Sequence, residues 1–166
     1  MKNIINKKLK QAQIFLNNKE YNKAEKLLKE IKNKSKKAAY LLSNLYYDTN
    51  NKEEEIKLTF ELAKKGDEDY QFILSTWYLT GENIEQNYDL AYKYLKLASK
   101  KHDPYATLAL AEFYEEGIGT KKNIKKAIKW YKKTLKQSLK ENNVDTPFLV
   151  RTANESLENI INNKGE

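Results

Sequence analysis

Few residues in this chain have types and spacing that support chemistry, and a glycine-rich stretch is the first of them. Gly117-Ile118-Gly119-Thr120 has the composition of a phosphate-binding loop. Phosphate loops, however, end in Gly-Lys followed by Ser or Thr, and dinucleotide loops follow a β-strand. Here two lysines follow the stretch and a helical pattern precedes it. The stretch is therefore predicted to be a turn between two helices.

Acid–base and nucleophilic catalysis have equally few candidate groups. The sequence contains no Cys and one His, His102, which excludes a thiolate nucleophile, a disulfide and a multi-histidine metal site. Glu115 and Glu116 occupy adjacent helical positions and diverge, and Glu112 with either of them is too little for a metal site. We therefore predict a protein that is not an enzyme and has no cofactor or metal.

The elements that position these residues are predicted to be helices. The chain has 166 residues, of which 40% are hydrophobic and 11% aromatic, enough for a folded core. Five glycines and two prolines are too few for the tight turns of a β-sandwich. No apolar run approaches the ~20 residues of a membrane span, and the start of the chain lacks the apolar segment of a signal peptide. We expect a cytoplasmic protein, or a periplasmic or secreted one if a signal peptide was removed.

A repeat of about 36 residues organises the chain. Residues 66–102 and 102–138 align without a gap at a shift of 36 positions, which places Gly81 on Gly117. The preceding unit aligns at a shift of 32 positions in its first segment and 35 in its second, because the loop between its two segments is shorter. Each unit has two segments with helical spacing, and such a pair buries its apolar side only by stacking on its neighbours.

Helix-start and helix-end signals delimit the units and one further helix. Asp103-Pro104 predicts the start of a helix, Gly117 its end, and Asp145-Thr146-Pro147 the start of the last helix. The predicted repeat array over 1–141 has units 4–33, 34–66, 67–102 and 103–138, and a capping helix with a frayed tail follows over 142–166. The capping helix is predicted to pack through an apolar face, formed by Phe148, Leu149, Ala153, Leu157, Ile160 and Ile161.

The third and fourth units resemble the Sel1-like repeat. The pattern is Ala106-x3-Leu110-Ala111-x-Phe113-Tyr114-x2-Gly117-x-Gly119-Thr120, followed by Ala127-x2-Trp130-Tyr131. The third unit is similar over Leu74-Ser75-x-Trp77-Tyr78-x2-Gly81, and the first two units are closer to tetratricopeptide repeats. This resemblance implies an all-α fold, a right-handed α-solenoid of about four helix-turn-helix repeats plus a C-terminal capping helix.

The resemblance also implies a non-enzymatic adaptor that binds a partner protein or peptide on the concave surface. In such stacks the first helix of each unit lines that surface, and positions between the packing residues meet the ligand. By register, the predicted partner-binding residues are Lys37, Tyr40, Asn44, Tyr47, Asp69, Phe72, Thr76, Leu79, Tyr105, Leu108, Glu112 and Glu115.

Lysines form a second candidate surface, here called the basic ridge. The formal net charge is +8, and Arg151 is the one arginine among 31 basic residues. Lysines three or four positions apart follow one side of the second helix of the fourth unit, and the ridge consists of Lys122, Lys125, Lys126, Lys129, Lys132, Lys133, Lys136 and Lys140. Either compositional drift or selection for a partner explains the ridge.

Two functional hypotheses follow. The first is a protein-binding module, and a bacterial immunity protein that neutralises an acidic toxin, a secretion accessory and a regulatory protein all fit it. The alternative is an electrostatic binder of nucleic acid or an anionic surface through the basic ridge. The near absence of arginine and the lack of aromatic residues between the lysines argue against nucleic acid.

Overall fold

The computed structural model describes residues 2–101, 103–141 and 143–162. Expectations for His102, Asn142 and residues 163–166 therefore lie outside the described residues. Within the described residues the chain forms helices and no strand. The helices are α1 Lys2–Asn17, α2 Tyr21–Ile31, α3 Lys36–Asp48, α4 Lys52–Lys64, α5 Glu68–Thr80, α6 Tyr88–Ala98, α7 Pro104–Glu116, α8 Ile124–Glu141 and α9 Thr146–Asn162, with a 3₁₀ turn at Ser99–Lys101. None of these helices is both long and apolar enough to cross a lipid bilayer.

Side-chain caps and left-handed glycines delimit the helices where the sequence predicts them. The Asp103 carboxylate accepts hydrogen bonds from the backbone N–H groups of Tyr105 and Ala106, at 3.0 and 3.2 Å, and Pro104 begins α7. Gly81 and Gly117 follow α5 and α7 with φ of 76° and 83°, a conformation that glycine adopts without a steric penalty. The predicted cap at Asp103 and helix end at Gly117 are confirmed.

Two compact units divide the chain, Met1–Leu62 and Ala63–Glu166. In the first unit, α1 packs against α2 and α2 against α3, around buried Ala12, Leu28 and Leu42. Lys29 bridges two helices there, since its ammonium contacts Glu25 of α2 at 2.8 Å and Glu54 of α4 at 3.3 Å. The repeat boundaries drawn from the sequence stay a prediction.

The second unit stacks α5, α6, α7, α8 and α9 in chain order. Its core includes Leu95, Leu110, Tyr131 and Leu149, one side chain from each of α6 to α9. Buried polar groups also join neighbouring helices. The Ser75 hydroxyl donates to the Ala91 carbonyl at 2.8 Å, and the hydroxyl oxygens of Thr134 and Thr107 are 3.0 Å apart. Each helix therefore supplies both apolar cover and hydrogen-bond partners to the next.

Helix α9 packs through a narrower face than the sequence predicts. Leu149, Ala153 and Ile160 are buried, and Leu157 packs against the core. Phe148 and Ile161 are 49% and 65% exposed, so their assignment to the packing face is wrong. These two residues lie outside the stripe because α8 and α7 contact only one side of the helix.

Gly119 holds the loop between α7 and α8 against the start of α6. Its φ is 59°, and a β-carbon at this position would lie 1.9 Å from the Tyr88 carbonyl oxygen. Gly66 also has a positive φ, 87°, but no heavy atom lies within 4 Å of the corresponding position. Alanine substitutions at these two positions therefore separate the free-energy cost of the strained backbone conformation from that of a steric clash.

We expect Gly119→Ala to lower the free energy of unfolding by about 3 kcal/mol, because the methyl group must displace backbone as well as adopt a strained φ. Gly66→Ala is the matched control, with an expected cost of about 1 kcal/mol from the strained φ alone. Urea unfolding followed by circular dichroism measures both. Equal losses in the two variants would show that the close approach to Tyr88 does not constrain the loop.

Candidate functional site

A stripe of accessible residues recurs on three helices of the second unit. On α7 it consists of Tyr105, Ala109, Glu112 and Glu116, of which only Ala109 is half-buried and the others are exposed. The same order of exposure recurs 36 positions earlier on α5 and 43 positions later on α9. The residues are Asp69, Ile73, Thr76 and Thr80 on α5, and Phe148, Thr152, Glu155 and Asn159 on α9. We call these twelve residues the first-helix face.

Charged groups near the N-terminal ends of these three helices lie close enough to interact. Burial raises the pKa of Asp103, before α7, and the nearby carboxylates of Asp69 and Glu68 raise it further. Burial likewise raises the pKa of Tyr105, whose hydroxyl interacts with Asp145, just before α9. Helices α7 and α9 are also in direct contact. The three stripes therefore begin near one another, in the order α5, α7, α9.

Glu112 lies near the middle of this surface and is exposed, yet its carboxylate is partly desolvated. The surrounding protein, and secondly the charge of Glu115, raise the pKa of Glu112. Burial of the carboxylate removes part of its hydration and so disfavours its charged form. The first-helix face thus places a negative charge where a cationic group of a ligand would be favoured.

Two predicted residues of α7 do not belong to the accessible stripe. Leu108 is 6% exposed and belongs to the core of the second unit, so its assignment to the partner-binding surface is wrong. Glu115 is half-buried, and the Tyr131 hydroxyl of α8 donates to its carboxylate at 2.6 Å. Both residues turn away from the stripe because the neighbouring helices occupy that side of α7.

The remaining predicted positions divide between exposed and packed. On α5, Asp69 and Thr76 are exposed, whereas Phe72 and Leu79 are half-buried against the core. In the first unit, α3 exposes Lys37, Tyr40 and Tyr47 and half-buries Asn44. The sequence interpretation missed Ile73 and Thr80 of α5, Ala109 and Glu116 of α7, and the whole α9 stripe. A periodicity of three and four residues from Tyr105 would have identified Glu116, but only the packing of α9 identifies Phe148 and Glu155.

Lysines of the basic ridge lie on α8, apart from Lys122 in the preceding loop. Seven of the eight ridge residues are exposed, and Lys133 is half-buried. The Lys133 ammonium lies 4.2 Å from the Trp130 ring centroid and donates to the Ser99 carbonyl at 3.3 Å. Burial, and secondly the charge of Lys129, lower its pKa. An aromatic ring thus does adjoin the ridge, contrary to the expectation, but Lys133 already covers it.

The arrangement offers groups suited to binding. Among the described residues, no three His, Asp or Glu side chains converge as metal ligands. What the second unit presents instead is a periodic surface of aromatic, hydroxyl and carboxylate groups on packed helices. The stacked helix pairs, the left-handed glycines at the helix ends and this periodic face define an α-helical repeat protein.

Comparison with known proteins identifies the kind of repeat. Residues 69–103 and 104–139 match the family model of the Sel1 repeat. Over 46 residues the chain is 50% identical to the Sel1-like repeat-containing protein L18 of Acanthamoeba polyphaga mimivirus. That match covers 28% of this chain and 8% of the viral protein, so the chain corresponds to a small part of that relative.

Two solved structures share the fold. A Sel1 repeat protein from Oxalobacter formigenes is similar with a TM-score of 0.62 and 23% identity, covering 75% of this chain and 94% of the other. The protective antigen c5321 of uropathogenic Escherichia coli, which displays an SLR fold, is similar with a TM-score of 0.64 and 18% identity, covering 83% of this chain and 29% of the other. Residues 69–139 therefore consist of two Sel1 repeats, and the predicted all-α solenoid fold class is confirmed.

Glu112 provides a test of the electrostatics of the face. Because its pKa is raised in the folded state, its contribution to stability is present below the ordinary glutamate pKa of about 4.3 and is lost as the pH rises through the folded-state value. We expect Glu112→Gln to be more stable than the parent near neutral pH, by less than ~1 kcal/mol since the side chain is exposed.

Near pH ~3, where carboxylates are protonated, the two proteins should be equally stable. Urea unfolding at both pH values measures the difference, and carboxyl-detected NMR titration measures the pKa directly. In the Glu115→Gln variant the pKa of Glu112 should fall, because one of the two causes of its shift is removed. An unchanged pKa in that variant would contradict the proximity of the two carboxylates.

Proposed function

We propose that this chain is a protein-binding module that holds a segment of a partner protein on the first-helix face. Sel1 repeat proteins generally mediate protein–protein interaction and act as non-enzymatic scaffolds. The observation that carries the proposal is the recurrence of one exposure pattern on α5, α7 and α9. Packed helices hold these side chains in place, so a ligand meets a surface that needs little ordering on binding.

The chemistry of the face favours a positively charged partner segment. Its acidic residues are Asp69, Glu112, Glu116 and Glu155, and it contains no lysine or arginine. Tyr105 and Phe148 are 37% and 49% exposed, and aromatic side chains of this kind anchor protein interfaces. A segment that combines lysine or arginine with an apolar residue matches both features.

The biological setting belongs to the same proposal. An adaptor, a secretion accessory, a regulator and an immunity protein each need a small, stable surface that captures one protein segment. An acidic toxin or effector would instead engage the basic ridge, whose lysines lie on α8. The first-helix face and the basic ridge carry opposite charges, so the charge of the bound segment distinguishes the two surfaces.

Selection from a displayed library of random peptides tests the proposal without knowledge of the natural partner. We expect the full chain to enrich peptides with lysine or arginine beside an aromatic or aliphatic residue. Glu112→Lys with Glu116→Lys should weaken binding of the selected peptides at least about tenfold, because like charges then face each other.

The matched control carries the same change in net charge away from the face. Glu82→Lys with Glu158→Lys alters two exposed carboxylates, one in the α5–α6 loop and one on α9 outside the stripe. This control should bind the selected peptides as the parent does. Enrichment of acidic peptides, or equal losses in both double variants, would refute the proposal for this face.

The exposed lysines of α8 support one alternative, electrostatic binding of nucleic acid or an anionic surface. That alternative predicts affinity for duplex DNA that falls steeply with salt and falls further in the variant Lys129→Glu with Lys132→Glu. We expect instead only the weak binding of any protein with a similar lysine content. Fluorescence anisotropy over a salt series decides between them, and tight binding abolished by the two substitutions would establish the alternative.

A further inference from the structure

A cavity of about 430 Å³ opens on the first unit, apart from the first-helix face. It lies where the start of α2 meets the end of α3 and the α3–α4 turn, and its lining includes Tyr21, Asn22, Leu45, Tyr46, Asn50 and Asn51. The volume falls within the ~300–1,000 Å³ range of small-ligand pockets. The proposed function of the second unit makes no use of this space.

Connection length explains why the cavity is open. Seven residues join α5 to α6, and seven join α7 to α8, whereas residues 49–51 alone join α3 to α4. In the second unit the longer α7–α8 loop folds onto the preceding helix pair, where Gly119 closely approaches the carbonyl of Tyr88, the first residue of α6. Tyr21 is the corresponding first residue of α2, and a three-residue turn is too short to cover it in the same way.

The polar groups around the cavity are mostly neutral amides. Asn22, Asn50 and Asn51 each carry a donor and an acceptor. The Asn51 side-chain oxygen is 3.5 Å from the backbone nitrogen of Glu54, at the edge of hydrogen-bonding distance. Leu45 supplies an apolar wall, and the partly exposed ring of Tyr21 supplies an aromatic one.

The charged group in the lining is already compensated. Glu25 receives a hydrogen bond from the Tyr46 hydroxyl at 2.9 Å and pairs with the Lys29 ammonium at 2.8 Å. A carboxylate with these two partners has little remaining attraction for a further cation. The cavity therefore offers paired donors and acceptors without net charge, a combination that fits another amide better than an ion.

We propose that this cavity is a binding site for an uncharged peptide segment, whose amide groups hydrogen-bond to Asn22, Asn50 and Asn51 while a small apolar group rests on Leu45 and Tyr21. The site is independent of the first-helix face, and its ligand differs in charge from the one proposed there. The shortened α3–α4 connection is what makes the site accessible.

NMR titration of the uniformly ¹⁵N-labelled full chain tests the proposal. The probe is N-acetyl-glycyl-glycine amide, which is neutral and carries several amide groups. We expect saturable shifts of the side-chain NH₂ signals of Asn22, Asn50 and Asn51. The same titration with acetate and with methylguanidinium should leave these signals nearly unchanged, since neither ion offers a neutral amide.

Asn22→Leu removes one amide at similar size from an exposed position, and Asn3→Leu is the matched control on α1 outside the lining. Asn22→Leu should weaken probe binding about three- to tenfold, the effect of one lost hydrogen bond, and Asn3→Leu should not change it. Circular dichroism checks that both variants fold. Absence of saturation, equal affinity in Asn22→Leu, or a stronger response to either ion would overturn the proposal.

Discussion

Burial of one apolar stripe per helix against two neighbours is the interaction on which the second unit depends. Helices α5 and α6 pack against each other but leave part of their apolar surface uncovered, and α7 covers it. Helices α8 and α9 repeat this arrangement. Small residues permit this close stacking, because Ala91, Ala106 and Ala127 are fully buried where helices meet. The sides of the first helices that no neighbour covers are left as a regular surface.

Loop length is the second constraint, and it acts differently in the two units. In the second unit, seven-residue connections end the first helices at glycines, and the α7–α8 connection folds back onto the start of α6. In the first unit, three-residue connections join the two helices of each pair, α1 to α2 and α3 to α4. The same helix pair thus yields a covered surface in one case and an open cavity in the other. A difference of four residues in a loop decides whether the junction between helix pairs is covered or open.

Charge is distributed by helix rather than evenly. The α8 lysines lie on a second helix, whereas the carboxylates of the first-helix face lie on α7 and its neighbours. The net charge of +8 therefore does not describe the local charge that a partner meets at close range. Screening by salt limits the range of interactions between exposed charges to ~10 Å or less. The net charge, which acts at long range, and the charge of the proposed binding face, which acts at short range, therefore have opposite signs.

Periodicity and cap residues were enough to predict the helix positions, and the motif residues of the third and fourth units carried the resemblance to the Sel1 repeat. Asp103, Pro104 and Gly117 act within a few residues of their own position, so their consequences follow from the sequence alone. Site residues were harder, because exposure on a helix depends on what packs beside it. Leu108 and Glu115 have the spacing of surface positions, but the packing of neighbouring helices removes both from the accessible stripe.

The sequence by itself determined the helical repeat, the helix ends and the concentration of lysine on one helix, since all three depend on local spacing. Only the tertiary structure decided which side of α9 packs, that its exposure pattern repeats those of α5 and α7, and that a cavity remains in the first unit. These features depend on contacts between residues far apart in the chain. No local pattern in the sequence encodes where a neighbouring helix packs, and therefore which side chains that helix covers.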